Sequence, residues 1–160
     1  MKTKILIPAI IGITVSLVAL ASFVFIGNLV NVTFTVNPSY AQFNLITINL
    51  GNLTTSQYGY ATSTITINIE KSGDYQFVLE NQQILQQEFS NFTIVLSVVN
   101  STAYSRVIIG GSNITGWIAN DTLYFNTGTY TVSVAIYYTV SSNAQPLTFD
   151  GNIVGLRYVS

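Results

Sequence analysis

From Tyr130 to Val140 a large apolar residue stands at every second position: Tyr130, Val132, Val134, Ile136, Tyr138 and Val140. A period of two puts successive side chains on opposite faces of a strand and does not fit the 3.6-residue turn of a helix. The same period recurs along the chain. Val30, Val32, Phe34 and Val36 alternate with Asn31, Thr33 and Thr35; Ile65, Ile67 and Ile69 alternate with Thr64, Thr66 and Asn68. Tyr75, Phe77 and Leu79 follow the turn signal Lys71-Ser72-Gly73-Asp74, and Phe92, Ile94, Leu96 and Val98 continue the pattern. Between Phe43 and Leu50 the phase slips at Leu45-Ile46, which predicts a bulged strand. Weaker strands are predicted at Tyr104–Ile109, Trp117–Ile118, Leu123–Phe125, Leu147–Phe149 and Ile153–Val159. Gly110-Gly111, Asn120-Asp121, Asn126-Thr127-Gly128, Ser141-Ser142-Asn143 and Asp150-Gly151 punctuate the runs. Only Glu80 to Phe89, with its Gln-rich centre, suits a short helix. About nine or ten short strands at this spacing predict an all-β fold, a jelly-roll or immunoglobulin-like β-sandwich forming one domain.

Composition narrows the chemistry. The chain has 160 residues, no histidine and no cysteine. That excludes a Ser-His-Asp or Cys-His nucleophile, an HExxH zinc site, disulfides, thiolate zinc and iron–sulfur clusters. Only 7% of residues are charged, and the five Lys/Arg do not cluster, so nucleic acid is not a partner. Six carboxylates are the only acid–base candidates: Glu70, Asp74, Glu80, Glu88, Asp121 and Asp150. Asp74, Asp121 and Asp150 stand in turn signals, where Asp bonds its own backbone, and no spacing marks a glycosidase pair. There is no Asp-rich run of the kind that builds a calcium loop. The expectation is a protein that is not an enzyme, with no catalytic residue, metal or cofactor. So few charges also predict tolerance of acid and heat, because acid unfolds proteins largely by protonating paired carboxylates.

Lys2 and Lys4 precede an uncharged stretch from Ile5 to Ile26. A basic start, an apolar run and the small-x-small triplet Ala19-Leu20-Ala21 describe a secretory signal peptide over residues 1–21, cut between Ala21 and Ser22. Two rival readings keep the apolar stretch: as a transmembrane anchor, or behind a pilin-type leader cut after Lys4. All three place the remainder outside the cytoplasm. In the first, residues 22–160 carry three cations and six anions, a net charge of −3.

Six Asn-x-Thr triplets offer N-glycosylation acceptors at Asn31, Asn52, Asn91, Asn100, Asn113 and Asn120. About three Asn-x-Ser/Thr matches are expected by chance from this composition. A glycan-rich surface would keep a nearly uncharged chain soluble. Trp117 and the ten tyrosines are scattered along alternating strands, which assigns them to the core or to sheet faces.

After Ala21 the chain opens Ser22, Phe23, Val24, Phe25, Ile26, Gly27, Asn28, Leu29, Val30, with no charge before Glu70. A free apolar β-prone terminus is an aggregation hazard unless a neighbour uses it as an added strand. Such a contact is head-to-tail and generates a filament. The alternative is that Val30–Val36 is the first strand of its own sandwich, with the residues before it unused; both can hold together.

The order of features resembles the TasA/camelysin-type fibre proteins, including the archaeal bundling pilins. The matching residues are the small-x-small signal end, Phe23, Asn31-Val32-Thr33-Phe34, Ile48-Asn49-Leu50-Gly51-Asn52-Leu53, the strand Thr64–Ile69, the Gly73 turn and the strand Tyr75–Leu79. The match spans roughly residues 15–100 and is one of spacing. Where the family often has Pro-Gly-Asp after the Asn-Leu turn, Thr54-Thr55-Ser56 stands here, so the turn differs in kind. Family members described as metalloproteases have no counterpart in a chain without histidine. The resemblance implies a jelly-roll subunit of extracellular filaments for adhesion or biofilm. Its partners would be copies of itself, with lateral bundling of filaments. The donor strand would be Ser22–Val30 and the sandwich residues 31–160. The alternative is an accessory β-sandwich of the cell envelope, held to the membrane by the uncleaved N-terminal segment and binding a surface-layer or filament partner.

Overall fold

The computed structural model describes Ser39–Ser160, which group as one unit. The signal cleavage at Ala21–Ser22, the donor strand Ser22–Val30, the strand Val30–Val36 and the acceptor Asn31 lie outside the described residues.

Nine strands and one helix follow in the order β1 (Ala41–Phe43), β2 (Tyr58–Ile69), β3 (Gly73–Leu79), α1 (Gln82–Glu88), β4 (Phe89–Val99), β5 (Tyr104–Ser112), β6 (Gly116–Ile118), β7 (Asn120–Phe125), β8 (Gly128–Val140) and β9 (Val154–Tyr158). They build two antiparallel sheets. One has the strand order β1-β2-β8-β4-β5-β6, the other β7-β3-β9. The fold is an all-β sandwich.

The alternation dictates the layering. Every second residue of β8, from Tyr130 to Val140, is buried toward the second sheet, and Thr129, Thr131, Ser133 and Tyr137 face outward. β8 sits at the centre because it has a long partner on each side: Tyr58–Ile69 on β2 and Phe89–Val99 on β4. The core includes Ile67, Ile69, Tyr75, Phe77, Phe92, Ile94, Val107, Ile109, Phe125 and Ile136. Phe125 anchors one end, its ring edge-on to Tyr75 at 5.6 Å and to Tyr130 at 4.8 Å. α1 falls within the predicted Glu80–Phe89 segment and buries Leu85; Asn81 enters it in the left-handed conformation.

Two expected strands are absent. The chain leaves the ladder after Phe43, so the bulged strand Phe43–Leu50 does not form. The slip at Leu45-Ile46 marks the departure: Leu45 is exposed, while Ile46, Ile48, Leu50 and Leu53 pack against the core without a strand ladder. Leu147–Phe149 is also irregular and exposed. Pro146 precedes it and has no N–H to offer a neighbour.

Candidate assembly edge

β1 covers only the end of β2, through Ala41↔Ile69, Gln42↔Asn68 and Phe43↔Ile67. From Tyr58 to Thr66 the same edge of β2 has no strand partner among the described residues. Antiparallel pairing with β8 occupies half of the backbone N–H and C=O groups of this run; the other half point to the open side.

Burial tracks that coverage. Beside β1, Ile67 and Ile69 are 4% and 2% exposed. Farther along, the inward-facing Gly59, Ala61, Ser63 and Ile65 are only half-buried. Three of those four are small. At Gly59 an added Cβ would lie 2.6 Å from the Tyr138 hydroxyl, so the strand has no side chain there because Tyr138 fills the place. The sandwich is closed where β1 lies and thin where it does not.

The segment 44–57 links β1 to β2. Asn49 Oδ1 accepts from the Gly51 N–H at 2.8 Å, and Gly51 has φ +74°. Gln57 Oε1 accepts from the Thr54 N–H at 2.8 Å, and the Gln57 N–H donates to the Thr54 carbonyl. Ser56 N–H and Gln57 C=O then join Val140 and lead the chain into β2. Thr54-Thr55-Ser56 is therefore a turn closed by Gln57.

The point where the described chain begins is held firmly. The Tyr40 carbonyl accepts from the Glu70 N–H at 2.9 Å, the Lys71 N–H at 3.2 Å and the Tyr75 hydroxyl at 2.7 Å. The Lys71 ammonium lies over the Tyr40 and Tyr158 rings, 4.5 and 4.3 Å from their centres. The polar contact with Tyr158 holds the Lys71 pKa above its ordinary value, and burial pushes the Tyr75 hydroxyl up. Asp74 N–H donates to the Ser160 carbonyl at 2.8 Å, so the two ends of the described chain meet around β3.

The acceptor asparagines spread over several elements. Asn52 is exposed in the 44–57 segment and Asn113 is exposed between β5 and β6. Asn100 closes the β4–β5 turn, its Oδ1 accepting from the Thr102 N–H, the Thr102 hydroxyl and the Ala103 N–H. Asn120 opens β7 and Asn91 lies within β4. Asp121 accepts from the Thr122 N–H and Asp74 from the Ser160 hydroxyl. Among the described residues no three His, Cys, Asp or Glu side chains come together to hold a metal. No helix among them is long and apolar enough to cross a membrane.

No family model matches the chain, and no curated protein matches it. The case for a function therefore rests on the chain's own residues.

Sequence reasoning missed the Tyr58–Ser63 half of β2 and the Tyr40–Tyr75–Tyr158 cluster. Period two is present from Tyr58 to Thr64, but the large residues point outward and the small ones inward. A search for buried apolar alternation passes over such a strand.

Proposed function

We propose that this chain is a secreted structural subunit that polymerises head-to-tail, laying residues 22–30 of one copy along the open edge of β2 in the next. The observation that carries this is the run Tyr58–Thr66, which among the described residues has no strand partner on one side and only half-buried inward positions. It is nine residues long, as is Ser22–Val30, and each would extend roughly 30 Å as a strand. Phe23, Phe25 and Leu29 supply bulk of the kind that the small Ala61 and Ser63 do not. Burying each large apolar side chain contributes about 1.5–3 kcal/mol, and the backbone ladder sets direction and register. A heterologous contact of this kind does not close and yields extracellular filaments suited to adhesion or biofilm. The exposed sequons fit a glycosylated surface.

Electron microscopy of residues 22–160 beside residues 31–160 tests the proposal, with circular dichroism to confirm that both are folded. Filaments from the longer chain alone, and binding of a synthetic Ser22–Val30 peptide by the shorter one, are the expected results. Filaments from both would move the joint elsewhere on the sandwich. Filaments from neither would favour the envelope-anchored accessory protein, whose basis is the uncharged stretch Ile5–Ile26.

A further inference from the structure

The outer face of the larger sheet is almost free of charge. Register places Tyr60, Tyr137, Thr93 and Gly110 in one row across β2, β8, β4 and β5. The row beside it holds Tyr58, Thr139 and Asn91. The Tyr60 and Tyr137 rings lie 6.3 Å apart and only 24° from parallel, and both are largely exposed, at 71% and 49%. Tyr58 beside them is 82% exposed. Three tyrosines left in water at one end of a neutral face form an aromatic shelf with no partner among the described residues.

Asn91 opens onto that shelf. Phe92 is buried inward, so Asn91 and Thr93 face outward on either side of it. The Thr93 hydroxyl donates to Asn91 Oδ1 at 2.9 Å. Asn91 Nδ2, the atom to which an N-glycan is attached, has no hydrogen-bond partner among the described residues. Tyr137 is the diagonal neighbour of Asn91 across the β4–β8 pair, a separation of about 7–8 Å.

We propose that Asn91 carries a glycan whose first sugars lie across β8 on the Tyr137–Tyr60 shelf. The weakly positive C–H face of a pyranose ring stacks on the negative face of a tyrosine ring, and its hydroxyls bond the neighbouring Thr93 and Thr139. A neutral sugar suits a surface with no charged group in these two rows. The sugar covers the apolar rings and leaves the β2 edge free, because the shelf lies on the face and not along the edge. Asn113 and Asn120 engage Trp117 and Gln76 through their Oδ1 atoms, and neither belongs to these two rows. The inference rests on the reading of the chain as an exported glycoprotein.

The test uses the full protein with the glycans of its native source. Glycopeptide mass spectrometry identifies which sequons are occupied, and melting is compared before and after enzymatic removal of the glycans, for the wild type and for Tyr137→Ser. The expected result is an occupied Asn91, a wild-type Tm that falls by about 3 °C or more on deglycosylation, and no such fall in the variant. Nuclear magnetic resonance of the wild type gives a second reading that needs no variant: sugar protons over the rings shift upfield. Glycans at other sequons with Asn91 bare would overturn this inference alone. So would equal Tm losses in the two proteins or unshifted sugar protons. A chain with no glycan at any sequon would overturn it together with the glycoprotein reading, while filament assembly is scored separately by microscopy.

Discussion

The Tyr75 hydroxyl lies 2.7 Å from the Tyr40 carbonyl oxygen, tying the start of the described chain to the middle of the sandwich. The same hydroxyl is 2.7 Å from the Lys71 carbonyl, so one side chain fastens both the entry segment and the β2–β3 turn. Tyr75→Phe keeps the ring and removes the bond. It is expected to lower unfolding stability by about 1 kcal/mol, because Tyr40 keeps its two backbone donors. Urea melts of the two proteins measure the difference, and an unchanged midpoint would show that the hydroxyl contributes nothing.

The same cluster sets the response to pH. No charged side chain is buried among the described residues, so acid has little to disrupt. Lys71 and Tyr75 both titrate above their ordinary values of 10.5 and 10.0 in the folded chain. A raised folded pKa gives stability that is complete below the unfolded value and lost as pH rises through the folded one. Tm is therefore expected to stay level from about pH 3 to about pH 9 and to fall above pH 10. Tyr75→Phe removes one of the two alkaline contributions and shallows the fall. Calorimetry across pH checks both; a loss of many degrees between pH 7 and pH 3 would contradict the account.

Phe125 is 2% exposed and meets Tyr75 and Tyr130 edge-on. It joins β7 of the small sheet to β8 of the large one. Phe125→Ala is expected to cost roughly 3–5 kcal/mol, the range for emptying a packed aromatic site. Chemical denaturation reads the loss directly, and a cost near 1 kcal/mol would mean that the neighbouring rings collapse into the space.

How much of this was legible in the sequence depends on which face of a strand carries the bulk. β8 could be read residue by residue because its large side chains are inside and its neighbours mostly polar. The far half of β2 could not, since Gly59, Ala61 and Ser63 point inward and Tyr58 and Tyr60 outward. That inversion is also what leaves the edge thin, so the feature hardest to read is the one on which the proposed assembly rests. The segment after Phe43 misled for a related reason. Its apolar residues do pack on the core, but through side chains alone, without the ladder that alternation implies. The Tyr40 cluster joins residues 35 positions apart through a backbone carbonyl, which leaves no local pattern.

A charge placed inside the open edge separates folding from assembly. Ser63 faces inward between Ala61 and Ile65 and is half-buried. In a single subunit the ammonium of Ser63→Lys can reach water through the uncovered side, its stem lying along the strand. The folded monomer is then expected to lose only about 1 kcal/mol, the cost of an ordinary substitution. A strand laid over the edge would trap the ammonium without a partner, at a cost of several kcal/mol. Thr64→Lys puts the same charge on the same strand but on the outer face, away from the groove. Light scattering during assembly should show filaments from the wild type and Thr64→Lys and none from Ser63→Lys at the same concentration. Assembly of Ser63→Lys at the wild-type rate would remove β2 as the seam, because a buried lysine there could not be tolerated.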